Sequence, residues 1–245
     1  MRKVLDKTYN VDMINNTQIE ICIGNIDDAL IASKYPIDRI ELNSALELGG
    51  LSPSLETLIY LKENIKQKIC CMVRPRGGDF CFSDLEFKIM LETAKSFLDN
   101  GADGIVFGFL NKDKSIDAVK TRKMIELIHQ YKKEAIFHKA FDDSNDKFEA
   151  IKILNDLKID RILTGGGESS ENILKGCELI NKLHNEYPNI QLLPGGGVRV
   201  NNIKDVIKTA GTGQIHMTAK MISDGGYIKL EESQLQAMLR EIESI

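Results

Sequence analysis

Apolar and polar residues alternate with period two over short stretches of this chain, and each stretch leads into a longer one with helical spacing. The alternating stretches predict eight strands: Gln18–Gly24, Arg39–Asn43, Ile69–Arg74, Gly104–Phe109, Ala135–Phe141, Arg161–Thr164, Ile190–Pro194 and Gln214–Thr218. Their spacing of about 20 to 35 residues predicts repeated βα units. Local signals mark the helices between them. Ser52 before Pro53 reads as an N-cap and first helical residue, and Ser83-Asp84-Leu85-Glu86 as a capping box. Asn100-Gly101 and Ala210-Gly211 supply the left-handed position that closes a helix, and a last helix is expected over Glu231–Ile245.

Eight such units close into a barrel or spread into a doubly wound sheet, and side-chain parity separates the two. Strands covered by helices on both faces are almost continuously apolar. Here Ile19, Ile21 and Ile23 alternate with Glu20 and Cys22. Likewise Ile40 and Leu42 alternate with Arg39, Glu41 and Asn43, and Ile215 and Met217 with Gln214, His216 and Thr218. The fifth strand sets Phe137 and Phe141 against His138, Ala140 and Asp142. One face packs under helices and the other lines something polar. The expected fold is therefore a single-domain (β/α)8 TIM barrel over residues 18–245, preceded by an irregular lead or bottom plug over residues 1–17.

Composition narrows the class. A chain of 245 residues, 42% hydrophobic and 28% charged, has ample core for such a domain. Its formal charge of −4 argues against a polyanion partner, so no nucleic acid is expected. No apolar run approaches membrane-spanning length, and Arg2 and Lys3 are not followed by a signal-type apolar core. A cytoplasmic location without a membrane partner is expected. The five cysteines (Cys22, Cys70, Cys71, Cys81 and Cys177) are odd in number and lack the spacing of a disulfide framework or a zinc knuckle.

Polar groups gather at the C-terminal ends of the predicted strands, where barrel active sites lie. After the third strand, Pro75 holds Arg74 extended, and residues i and i+2 of extended chain face one side. Arg74 and Arg76 then form an anion clamp, with Asp79 available to fix one guanidinium. Gly195-Gly196-Gly197 follows the seventh strand, where barrels bind phosphate through backbone N–H groups. The inward polar set comprises Glu20, Glu41, Arg74, Arg76, His138, Asp142, Thr164, His216 and Thr218. Glu20 or Glu41 serves as a base if burial raises its pKa, and His138 and His216 titrate near neutrality unperturbed. A buried glutamate is equally a structural counter-ion for Arg74. His129 and His184 fall within helical patterns, Lys139 has the wrong parity for imine chemistry, and Lys220 lies beyond the eighth strand. No divalent-metal set is written in the spacing.

Several segments together resemble the CutC family of copper homeostasis proteins. They are Ile19-Glu20-Ile21-Cys22, Arg39-Ile40-Glu41-Leu42, Gly49-Gly50-Leu51-Ser52-Pro53-Ser54, Arg74 to Phe82, Phe137 to Asp142, Leu163-Thr164 and Pro194 to Val198. The resemblance spans roughly residues 18 to 220. It implies a (β/α)8 barrel, a cytoplasmic homo-oligomer and a role in copper handling. Cys22 and Cys81 match family cysteine positions and imply a two-thiolate Cu(I) site, copper(I) favouring soft sulfur ligands. Family members commonly carry arginine where Lys139 stands and cysteine where Asn43 stands. The residues themselves point instead to a small anionic or phosphorylated metabolite and an acid/base isomerase- or lyase-type reaction. Arg74, Arg76, Thr164 and Gly195–Gly197 would hold the anion, and Glu20, Glu41, His138, Asp142 and His216 would exchange protons. A non-catalytic ligand socket uses the same residues.

Overall fold

Eight parallel strands form one sheet in the order β7-β6-β5-β4-β3-β2-β1-β8, and the sheet curls until β7 and β8 lie side by side. The computed structural model describes residues 14–223 and 225–245. The strands are β1 Gln18–Ile23, β2 Arg39–Leu42, β3 Lys68–Met72, β4 Gly104–Phe107, β5 Glu134–Phe137, β6 Arg161–Thr164, β7 Gln191–Pro194 and β8 Gln214–Met217. Between and after them run α1 Ile26–Ala32, α2 Leu55–Asn64, α3 Asp84–Asp99, α4 Ala118–Gln130, α5 Ala140–Asp143, α6 Lys147–Asp156, α7 Ile173–Glu186, α8 Ile203–Ala210 and α9 Glu232–Glu243. This is the expected barrel.

The two parities of the strands build two separate interiors. Outward residues such as Ile19, Ile21, Ile40, Ile69, Phe107, Phe137, Ile162 and Ile215 join helix residues in one continuous core. Inside the wall a small second cluster holds Cys70, Met72, Val106 and Ile136. Below it the interior is ionic. Arg39 reaches Glu20 at 2.8 Å, Cys70 Sγ at 3.1 Å and Glu134, while Arg161 reaches Glu134 at 2.9 Å, Gln18 at 3.0 Å, Gln191 and Gln214. Two buried guanidinium groups thus occupy the foot of the barrel with their hydrogen bonds met from five strands, which offsets the cost of desolvating them.

Register decides which polar residues meet above this layer. Glu20 lies level with Arg39 on one side and His216 on the other, and Cys22 lies level with Glu41. Parallel partners share a face, so these side chains enter the barrel in rows.

Local differences from the sequence reading have local causes. The capping box of Ser83 and Glu86 forms, and Gly101 and Gly211 sit at positive φ where helices end. Ser52, however, caps no helix: its Oγ accepts from Arg74 N at 2.9 Å, and Ser54 caps α2 instead. β5 ends at Phe137 rather than Phe141, because the chain turns helical at Lys139 and His138 Nδ1 accepts from Ala140 N at 3.0 Å. A hairpin of β9 Lys220–Ile222 and β10 Ile228–Leu230 follows β8, anchored where Leu230 N donates to Asp28 at 2.7 Å. Of the expected lead, residues 1–13 lie outside the described residues. Asn15 binds the Ile242 and Glu243 carbonyls at the end of α9.

Candidate functional site at the barrel mouth

Two connected lobes open at the C-terminal ends of the strands. An inner lobe of about 140 Å³ is walled by Glu41, Asn43, Met72, Arg74, Phe80, His138 and Leu163. An outer lobe of about 290 Å³ is bounded by Ser170, Gly196, Gly197, Arg199, Thr218 and Lys220. Cys22, Leu46, Gly49, Lys139 and His216 line both.

His216 and Glu20 form the axis of the site. His216 Nδ1 lies 2.8 Å from Glu20 Oε1, and both side chains are buried. Burial alone would raise the Glu20 carboxyl, but Arg39, the His216 bond and Arg161 outweigh it and hold Glu20 well below the usual carboxylate range. Glu20 therefore accepts hydrogen bonds as a carboxylate and is not the base. Burial would also depress His216, yet the negative charges of Glu41 and Glu20 prevail and its pKa is raised. Nδ1–H is committed to Glu20, so Nε2 is the ring atom presented to the cavity.

Glu41, level with Cys22, stands two register positions above Glu20 and makes a different set of contacts. Its Oε2 accepts from Asn43 Nδ2 at 2.9 Å, while Oε1 is buried with no partner. His138 is the converse case. Its Nδ1 accepts a backbone N–H, which places the proton of the neutral ring on Nε2, and burial together with Arg74 lowers its pKa to about 3. His138 is thus a neutral donor rather than a base near neutrality, its ring tilted 52° against that of Phe80 at 4.7 Å between centroids. Its Nε2 has no partner.

The expected two-arginine clamp does not form. β3 ends at Met72 and the following turn separates the guanidinium groups. Arg74 turns inward, giving Nη1 to the carbonyls of Leu48, Gly49 and Gly50 and Nη2 to that of Gly78, so it staples two rim loops and keeps only Nε unpartnered. Arg76 turns outward to Glu86 at 2.6 Å and Asp79 at 3.2 Å and lines neither lobe. Thr164 is also outside: Leu163 takes the inward position, and Thr164 Oγ1 bonds Asp142. Asp142 accepts from Gly165 N at 2.8 Å and Gly167 N at 3.0 Å, which makes it a brace for the loop after β6. Of the expected glycines, Gly196 and Gly197 line the outer lobe and Gly195 packs against Leu163 and His216.

The expected sulfur pair is likewise replaced. Cys81 sits on the outer turn, its carbonyl bound by Arg76, and lines neither lobe. Cys22 instead meets Glu41 and His216, whose ligand atoms and Sγ all lie within 4.8 Å of one another. Burial and the charge of Glu41 push the Cys22 thiol well above its usual pKa, so it is protonated near neutrality.

The sequence model of the CutC family matches residues 17–221. The chain belongs to the CutC family. It is 44% identical over 207 residues to a CutC family protein of Treponema denticola, covering 84% of this chain and 82% of that one. It is 34% identical over 213 residues to the human protein named copper homeostasis protein cutC homolog, covering 86% and 77%. The crystal structure of the CutC protein from Streptococcus agalactiae superposes with a TM-score of 0.75 at 30% identity, covering 82% of this chain and 97% of that one. These relatives agree with the barrel and with the family the segments resemble.

Several lining residues of this CutC chain escape a strand-by-strand reading. Asn43 had the right parity but no assigned chemistry, and Phe80 follows a turn of unpredictable direction. Lys139 lines both lobes because β5 ends early and the helical turn rotates it inward, a change that parity along an assumed strand cannot show. Among the described residues, no helix is long and apolar enough to cross a membrane.

Proposed function

We propose that this CutC chain holds a small carbonyl- or hydroxyl-bearing molecule at the barrel mouth and moves a proton on it. One observation carries the reading. Among the described residues, six buried side-chain polar atoms lack a partner, and four of them wall the inner lobe: Glu41 Oε1, Asn43 Oδ1, Arg74 Nε and His138 Nε2. Orphaned buried groups are costly and rare, and two acceptors facing two donors in one cavity suit a polar molecule that supplies both kinds of partner.

Glu41 is the base of this scheme and His216 the acid. Glu41 Oε1 takes a proton from the carbon beside a carbonyl, and His216 Nε2–H gives one to the carbonyl oxygen, leaving an enediol; reversal at the neighbouring carbon returns the product. Arg74 Nε–H and His138 Nε2–H bind the oxygen as charge develops, and Met72, Phe80 and Leu163 limit water around it. Small hydroxy-aldehydes and hydroxy-ketones, free and phosphorylated, incubated in D2O should gain deuterium beside the carbonyl, read by mass spectrometry. Glu41→Gln should slow exchange by about 10²–10⁴-fold, and the rate should fall as pH rises through the elevated pKa of His216. Exchange that is undiminished in Glu41→Gln, or absent from the whole panel with folded protein, would remove this reading.

A copper reading is favoured by a separate observation, the approach of Cys22 Sγ, Glu41 and His216 within 4.8 Å, and by the names of the relatives. One soft sulfur, one imidazole and one carboxylate form a mixed set, and copper binding here would release the Cys22 proton. Asn43 Nδ2 lies 3.5 Å from Cys22 Sγ at the position where family members commonly place a second cysteine. Anaerobic Cu(I) titration against a competing chelator should then find one site per chain that Cys22→Ser abolishes and Cys81→Ser leaves intact. Binding indifferent to Cys22 would exclude it.

A further inference from the structure

We propose that the outer lobe is a phosphate site and that the molecule turned over in the inner lobe is a small phosphomonoester; the second half rests on the proton-transfer reading above. The lining of the outer lobe carries Lys139, Arg199, Lys220 and the His216 ring, and no carboxylate. The inner lobe adds the Glu41 carboxylate, beside an Arg74 whose Nη groups are spent on four loop carbonyls. This asymmetry orients a ligand: a dianionic end is attracted outward and repelled from Glu41, while a neutral hydroxylated body meets the orphaned donors and acceptors within.

The loop after β7 supplies the second observation. Gly195 N donates to Thr164 O and Arg199 N to Asn202, but the N–H groups of Gly196, Gly197 and Val198 donate to no protein atom among the described residues. Gly197 and Val198 are buried, where an unpartnered N–H is rare. Gly196 and Gly197 take φ of +87° and +113°, which turns the chain tightly at this point.

Side chains complete the site. Lys139 Nζ lies so close over Gly196 that a Cβ there would stand 2.4 Å from it, and its carboxylate neighbour is Asp142 at 3.4 Å. His216 is nine-tenths buried with Nδ1 bound to Glu20, and its Nε2 makes no bond to a protein atom among the described residues. Three free backbone donors beside the Lys139 ammonium match the oxygens of a phosphate monoester, whose bridging oxygen continues toward the inner lobe and leaves His216 Nε2 to the carbonyl oxygen.

Calorimetric titration with inorganic phosphate, at ionic strength fixed with potassium chloride, tests the site directly. The parent should bind one phosphate per chain at physiological ionic strength. Lys139→Met should weaken binding at least about tenfold, and Gly196→Ala should weaken it by displacing the ammonium. Absent binding, binding lost at physiological ionic strength, or Lys139→Met and Gly196→Ala variants that bind like the parent would overturn the proposal. The two readings fail separately. Phosphate binding without deuterium exchange removes the proton transfer, whereas exchange confined to unphosphorylated compounds removes the phosphomonoester assignment.

Discussion

Arg39→Met is expected to lower the unfolding free energy by about 3–5 kcal/mol, measured by guanidinium denaturation. The guanidinium is 1% exposed and sits between Glu20, Glu134 and Cys70. Methionine fills the volume but leaves Glu20 hydrogen-bonded to His216 with only the more distant charge of Arg161, and Glu134 with Arg161. An uncompensated buried carboxylate costs more than the pair itself contributes. Two further results distinguish this cause from simple repacking. Glu20→Gln added to Arg39→Met should restore part of the loss, because it removes the stranded charge. The difference between parent and Arg39→Met should also narrow as pH falls. Glu20 has a depressed folded pKa, so its contribution is present above the ordinary value of 4.5 and is lost progressively below it. A loss under 1 kcal/mol, or one indifferent to Glu20→Gln, would contradict the assignment. Because Glu20 also holds His216 Nδ1, the same variant should loosen the group that faces the cavity.

Gly176→Ala is expected to destabilise the protein by about 2 kcal/mol or more, although alanine in a helix interior gains about 1 kcal/mol over glycine. Gly176 lies within α7, and a Cβ on it would stand 1.9 Å from Gly165 O and 2.9 Å from Gly165 C. The obstacle is backbone, so no rotamer change relieves it. Either α7 lifts from the barrel or the loop after β6 moves, and overpacking of this kind costs about 1–3 kcal/mol and occasionally more. The steric term wins over propensity. The displaced loop is the one braced by Asp142 through Gly165 N and Gly167 N, and Ser170, farther along the chain, lines the outer lobe. Phosphate binding should therefore weaken alongside stability. A Gly176→Ala protein as stable as the parent would show that α7 has room that these distances deny.

The positions of Glu41 and Arg74 illustrate how far sequence reasoning reaches. Glu41 belongs to a strand whose alternation is unbroken from Arg39 to Asn43, so its inward direction follows from period two alone. Arg74 lies at the last residue before Pro75, where the strand has already ended. Its inward direction is right, but its four carbonyl partners come from residues 24 to 26 positions earlier and four later, which no spacing rule supplies. Arg76 shows the limit from the other side. The rule that i and i+2 share a face holds only while the chain stays extended, and a turn after Pro75 sends Arg76 to Glu86 instead.

Sequence by itself determined the eight strands, the inward and outward faces of β1, β2 and β8 though not of β6, the barrel they close into and the family to which the chain belongs, because each follows from local periodicity or contiguous residues. Tertiary structure decided the pairings. Register between β1, β2 and β8 made Arg39 rather than Arg74 the counter-ion of Glu20, and brought Glu41, Cys22 and His216 together from three strands. The early end of β5 turned Lys139 into the cavity. Charge state followed from those neighbours, with His138 held neutral and His216 held protonatable by fields that exist only once the barrel is closed.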